Sequence, residues 1–240
     1  MSSPKSSNSI ERELDEILPD RVLPPVAPHT EQAIRDRLLT SLEPVRPIPS
    51  RTILVAAFLA IFAMVTGILI AFFGTRGAAS MTTPQLAGIL TAIVVAAVLA
   101  SISLSHEMSP GQRRITHPGA MTAGVLLALL ALVAGLFPWS EGPTNGLHCF
   151  GSGFLFSLPS VGLVLLVIRR GSPLAWGAVG ATAGLLGGLV GMAAIHIGCS
   201  MLNAPHMATG HLTIPLVGAI GGYIIGRALP YILPSETGAA

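Results

Sequence analysis

Beyond residue 52 the chain is written in long apolar runs separated by short polar connections. The runs at 53–73, 86–104, 119–137, 150–168, 174–195 and 212–229 each approach the ~20 apolar residues that a helix needs to cross a bilayer. The connections are short, so successive helices are expected to pack antiparallel. Before residue 51 the pattern changes. Polar and charged positions dominate, broken by two apolar stripes at helical spacing: Ile10, Leu14, Ile17 and Leu18, then Ile34, Leu38, Leu39 and Leu42 with Thr30 placed as an N-cap. Between the stripes, Leu23-Pro24-Pro25-Val26-Ala27-Pro28 must be extended, because proline lacks the amide donor and disfavours helix in the residue before it. Pro44-Val45-Arg46-Pro47-Ile48-Pro49 forms a stiff link into the first apolar run. The fold expected is an all-α membrane protein: an arm of two short amphipathic helices at 1–50, a six-helix transmembrane domain at 51–230 and a tail at 231–240.

Two short helices on a tether are marginal in water by themselves. Their apolar stripes therefore need cover. They can fold on each other or lie on lipid headgroups, or they can fold onto another protein.

Composition agrees with the pattern. Of 240 residues 51% are hydrophobic and 10% charged, and mean hydropathy is +0.72, a profile of lipid-embedded helices. The net charge of +2 is small, and the arginines flank spans instead of forming a stripe with aromatics, so direct nucleic-acid binding is not expected. The polar first fifty residues hold no apolar run that would read as a signal peptide.

Charge placement gives an orientation. Arg46 and Arg51 precede the first span, Arg113 and Arg114 follow the second, Arg169 and Arg170 follow the fourth, and Arg227 closes the sixth; Arg76 alone falls on the other side. The positive-inside rule then expects both termini in the cytoplasm. The connections at 138–149 and 198–210, with His148, Cys149, Cys199 and His206, would face outward.

Gly180, Gly184 and Gly188 in the fifth span and Gly218, Gly222 and Gly226 in the sixth recur every four residues. Such stripes let backbones approach closely, so these spans are expected to be tightly packed, within one chain or between two. Pro159 and Pro215 are expected to kink their spans. No Asp, Glu or Lys lies well inside a span, which argues against a proton- or ion-coupled carrier. There is no intramembrane His-Glu-x-x-His motif, no phosphate-cradling loop and no Ser/His/Asp set, so no enzyme is expected.

The remaining chemistry is the outward Cys/His group. His148 adjoins Cys149, His196 stands three residues before Cys199, and His206 and His211 follow. If the last four spans pack together, these six side chains can converge on a zinc, copper or other soft ion. A reversible disulfide between Cys149 and Cys199 is the second reading, given Cα atoms within roughly 7 Å. The third is that the cysteines are small apolar residues at the bilayer edge and the histidines are interfacial caps. His106 and His117 belong to the opposite side.

Cys149, Leu158-Pro159, Arg169-Arg170-Gly171-Ser172-Pro173-Leu174, the glycine-rich fifth span, His196-Ile197-Gly198-Cys199 and the stretch from His211 to Gly226-Arg227 resemble the NrsF-like family of bacterial six-span anti-sigma factors. Leu42-Glu43-Pro44-Val45-Arg46-Pro47 resembles the segment before the first span in that family. The resemblance implies a multi-pass protein of the bacterial inner membrane whose cytoplasmic arm holds an extracytoplasmic-function sigma factor. It also implies that two periplasm-facing cysteines, here Cys149 and Cys199, serve in sensing metal stress. The helix around 10–18 is an addition to the family pattern. On this reading Ile34, Leu38, Leu39 and Leu42 supply apolar anchors for the partner, with Arg35, Arg37 and Glu43 setting electrostatic register. The alternative from a different class is a small membrane transporter or channel for a metal ion or apolar solute.

Overall fold

The computed structural model describes residues 28–41, 49–108, 117–140, 146–169 and 175–232. The expected helix at 10–18, Leu42, Glu43, Arg46, Arg113, Arg114, Arg170 and most of the tail lie outside the described residues. The described residues are mostly helical, with no strand among them, and contain six helices long and apolar enough to cross a membrane.

In the arm, helix α1 runs Pro28–Ser41. It starts two residues before the cap expected at Thr30, because Pro28 takes the first helical position, where its missing amide costs no hydrogen bond. Ile34 is 52% exposed, and Arg35 and Arg37 are also exposed.

The membrane unit begins with α2, Arg51–Phe73, capped by Ser50 and ended by Gly74 at φ +80°, a positive-φ backbone that glycine adopts without strain. A short α3, Arg76–Ser80, leads to α4, Thr83–Glu107. Thr82 and Gln85 form a reciprocal capping box at the start of α4. Gln85 Nε2 also donates to the Leu136 carbonyl at 2.8 Å, tying α4 to the end of α5, Pro118–Leu136. Then come α6, Leu147–Ile168, and α7, Trp176–Gly198. A turn at α8, Ala204–His206, continues through a π turn, Met207–His211, into α9, Thr213–Ile232.

The helices are not equivalent. In its most apolar window α7 is 94% buried, against 22 to 39% for the other five spans, so α7 is the axis around which they are arranged. It touches α9 and α6 most extensively, then α4 and α2. Small residues explain this placement. A Cβ at Gly180, Gly184 or Gly188 would run into the backbone of Gly222, Gly218 or Pro215 of α9. The two glycine stripes therefore meet within one chain. A second face of α7, carrying Gly187 and Gly191, lies against Val161, Ser160 and Gly153 of α6.

The outer helices turn large apolar side chains away from the bundle, as Phe72 at 80% and Leu127 at 66% exposure show; this is the surface that lipid would cover. Hydroxyls in the apolar layer bond to their own helix, as from Ser101 to the Ala97 carbonyl at 2.7 Å and from Thr182 to the Ala178 carbonyl at 3.1 Å. Pro159 stays inside α6. Pro215 lies inside the sixth candidate span, Ala204–Leu229, just after the π turn and as the third residue of α9.

Candidate metal and thiol site

Three chain segments meet at one end of the bundle: the first turn of α6, the end of α7, and the turns that precede α9. Cys149 is the third residue of α6 and Cys199 follows the last residue of α7. His196 lies one turn back inside α7. The connections expected at 138–149 and 198–210 are thus shorter than the hydropathy pattern implied. Gly146 caps α6, and Asn203 caps α8 by accepting from the His206 amide at 2.8 Å, with Pro205 in the first turn. His148, Cys149 and His206 are therefore helical residues, not members of open loops.

The packing around these segments is close. Gly77 of α3 sits against the carbonyls of His196 and Cys199, where a Cβ would not fit. Gly146 and Gly210 approach backbone to backbone. The Ala204 amide donates to the Pro138 carbonyl at 3.0 Å, and the ring of Phe137 meets His196 edge-on at 5.9 Å.

Within this frame Cys149 Sγ is 3.6 Å from Cys199 Sγ, and Cys199 Sγ is 3.6 Å from His206 Nε2. One ligand atom each from Cys149, Cys199, His206 and His211 falls within 4.8 Å of all the others, so these four could hold a metal ion. The cysteines are free thiols; no disulfide joins them. His196 Nδ1 lies 3.2 Å from His211 Nδ1, behind the set of four. His148 departs from the expectation: it is exposed and not among the converging groups. Neighbours on a helix point about 100° apart, so the first turn of α6 turns Cys149 inward and His148 away. His106 near the end of α4 and His117 at the start of α5 lie at the other end of the bundle, as expected; His117 Nδ1 accepts from the Gly119 amide at 3.2 Å.

The pairing of His206 with His211 depends on the π turn. Five residues apart on an α-helix, two side chains point about 140° apart. The wider turn, closed by the Leu212 amide on the Met207 carbonyl at 3.1 Å, brings the two rings to 5.4 Å between centroids. No apolar pattern signals such a turn, which is why the sequence alone places His206 in the connection at 198–210 and His211 directly before the sixth run.

Burial is the other property of the site. His196, His206 and His211 are 0 to 1% exposed. Each keeps one ring nitrogen buried without a hydrogen-bond partner: Nε2 of His196, Nδ1 of His206 and Nε2 of His211. An unpartnered buried polar group costs about 1–3 kcal/mol. Three at one spot make these positions unfavourable as packing alone. The cysteines, by contrast, are half-buried.

The chain's relatives can now be placed. The family profile described as negative regulator of sigma F, NrsF, matches residues 38–231. The chain belongs to the NrsF family. No curated protein and no solved structure matches it. NrsF membership implies negative regulation of a sigma factor, with a sigma factor as partner. The NrsF family is a regulator class rather than an enzyme class. The match covers all six spans, the four converging side chains, and Leu38, Leu39 and Leu42 at the end of the arm.

Proposed function

We propose that this chain is a polytopic anti-sigma factor of the bacterial inner membrane, with both termini in the cytoplasm. The arm, residues 1–50, holds an extracytoplasmic-function sigma factor at the membrane. Thiol or metal chemistry at Cys149 and Cys199, on the periplasmic side, releases it. The observation that carries this reading is the family match over residues 38–231, which spans the junction of arm and membrane domain.

The physical requirements can be stated for each end. At the arm, Ile34 on α1 is a large apolar side chain half open to solvent. With Leu38, Leu39 and Leu42 at helical spacing it would present anchors for a partner, flanked by Arg35 and Arg37. At the other end, a signal must bind one arrangement of the bundle better than another to change the arm's affinity. Cys149 and Cys199 suit that task because one stands in α6 and the other just past the end of α7, with only contact between them. The α7 axis also touches α2, the span that the arm leads into.

The packing supports a regulator over the transporter or channel reading. The axis of the bundle is filled by α7, held against α9 through backbone-to-backbone glycine contacts. The test is co-purification: the full-length chain in detergent or nanodiscs should retain a sigma factor under reducing, metal-free conditions. Capture of no sigma factor in that state rejects the proposal. Replacing both cysteines, Cys149→Ser with Cys199→Ser, should leave sequestration intact and abolish the stress response; an unchanged response removes the thiols from the mechanism.

A further inference from the structure

We propose that Cys149, Cys199, His206 and His211 form a closed four-ligand site for one tetrahedral ion of the zinc and cadmium kind, with His196 as a positioning residue behind it. This deepens the sensing role given to the two cysteines above and rests on that role only for its link to sigma release.

The first support is convergence. Thiolate sulfur sits about 2.3 Å and imidazole nitrogen about 2.0 Å from a tetrahedral zinc ion, which places two sulfurs about 3.8 Å apart and sulfur and nitrogen about 3.5 Å apart. The observed separations are 3.6 Å for Cys149 Sγ to Cys199 Sγ and 3.6 Å for Cys199 Sγ to His206 Nε2. A fourth donor from His211 lies within the same 4.8 Å group. Two soft sulfurs with two imidazoles suit zinc, cadmium and copper(I) better than magnesium or calcium, which take oxygen. Four protein ligands leave no open coordination position, so the site is suited to holding elements together and not to catalysis.

The second support is independent of those distances. His211 is fully buried, its Nδ1 is engaged by His196, and its Nε2 has no hydrogen-bond partner. An ion would give that buried nitrogen a use. The cysteines are half-buried and the imidazoles buried, so an arriving ion meets the thiols first and the imidazoles last.

His196 has a different part. Its Nδ1 touches His211 Nδ1 at 3.2 Å, and it is not one of the four. One of these nitrogens donates and the other accepts, so the contact sets which nitrogen of His211 keeps its lone pair. Outer partners of this kind orient a metal-bound imidazole, and their loss weakens metal binding about 10–100-fold. The ion would bridge α6, the end of α7 and the turn before α9, three elements that otherwise meet here only by contact.

The test uses the full-length chain, reduced and metal-free in nanodiscs, titrated with Zn(II), Cd(II) and Co(II) alone. One ion per chain is expected, with X-ray absorption giving two sulfur and two nitrogen neighbours and Co(II) giving a tetrahedral thiolate spectrum. His206→Gln and His211→Gln should each weaken binding severely, and His148→Ala should leave it unchanged. His196→Phe should weaken affinity about 10–100-fold with the same neighbours retained, and His196→Gln should recover part of it. In the wild-type chain, which needs no variant to fold, saturating Zn(II) should slow alkylation of both thiols by maleimide. Absence of stoichiometric binding, a coordination shell without nitrogen, or full affinity in both His206→Gln and His211→Gln overturns the site. A chain that captures a sigma factor but binds no ion overturns the site and leaves the regulator. A chain that binds the ion as described but captures no sigma factor keeps the site and overturns the regulator.

Discussion

At the scale of single residues, the histidines at the end of the bundle set a trade between stability and binding. His206 is 1% exposed and its Nδ1 has no hydrogen-bond partner. Removing the orphaned Nδ1 relieves a desolvation cost of about 1–3 kcal/mol, which offsets the loss of the long Nε2 contact to Cys199. His206→Leu should therefore leave the metal-free melting temperature unchanged or higher. A wild-type chain at a hundredfold excess of zinc over its dissociation constant should gain about 2.7 kcal/mol of stability, and His206→Leu should lose that gain. Thermal unfolding in detergent with and without zinc reads both quantities. Ligation also competes with protons on thiols and imidazoles, so zinc affinity should fall steadily as the solution is acidified, measurable by titration at several pH values. A histidine that merely fills the core would lower stability when removed and show neither dependence.

At the scale of helices, the decisive contact is the glycine pairing of α7 with α9. A Cβ at Gly184 would collide with the Gly218 carbonyl, and backbone offers no flexible end that can move aside. Gly184→Ala should destabilise the bundle by about 1–3 kcal/mol, the usual cost of overpacking. Gly124 of α5 has nothing within 4 Å of its Cβ position. Gly124→Ala should be neutral or should stabilise by at most about 1 kcal/mol, the difference in helix propensity. Denaturant titration of the two variants side by side checks the prediction, and equal behaviour would mean that α7 and α9 do not approach as described. The tie between α4 and α5 is of another kind: Gln85 bonds both the Thr82 amide, at 2.9 Å, and the Leu136 carbonyl, at 2.8 Å. Gln85→Leu should cost about 1 kcal/mol, the usual value of a helix cap.

At the scale of the whole molecule, the proposed function is directional: the Cys/His site lies at one end of the bundle, and α2, into which the arm leads along the chain, starts at the other. Arg51 opens α2, Arg169 follows α6 and Arg227 lies near the end of α9, all at the end opposite to Cys149 and Cys199. With this asymmetry, a membrane-impermeant maleimide added to intact spheroplasts should label Cys149 and Cys199 in the metal-free state. Labelling only after the inner membrane is opened would reverse the orientation and move the site to the cytoplasm. The same preparation links the two ends, since zinc should both block labelling and release the sigma factor at similar concentrations.

The six membrane helices were legible in the order of residues because hydropathy is a local property: a run such as 53–73 must be a helix in lipid wherever it packs. The expected bounds erred most at 212, where the sixth candidate span begins at Ala204 behind the Asn203 cap, and less at 150, where α6 begins at Leu147 behind Gly146; hydropathy does not register a cap. The glycine stripes announced a close approach but not its partner, because a bare backbone face accepts any neighbour equally; the tertiary structure assigned one face of α7 to α9 and a second, carrying Gly187 and Gly191, to α6. Candidate ligands were legible as residue types. Only three-dimensional packing chose Cys149, Cys199, His206 and His211 and set His148 aside. That choice depends on the phase of the first turn of α6 and on one π turn before α9, and both are fixed by contacts between segments far apart in the chain.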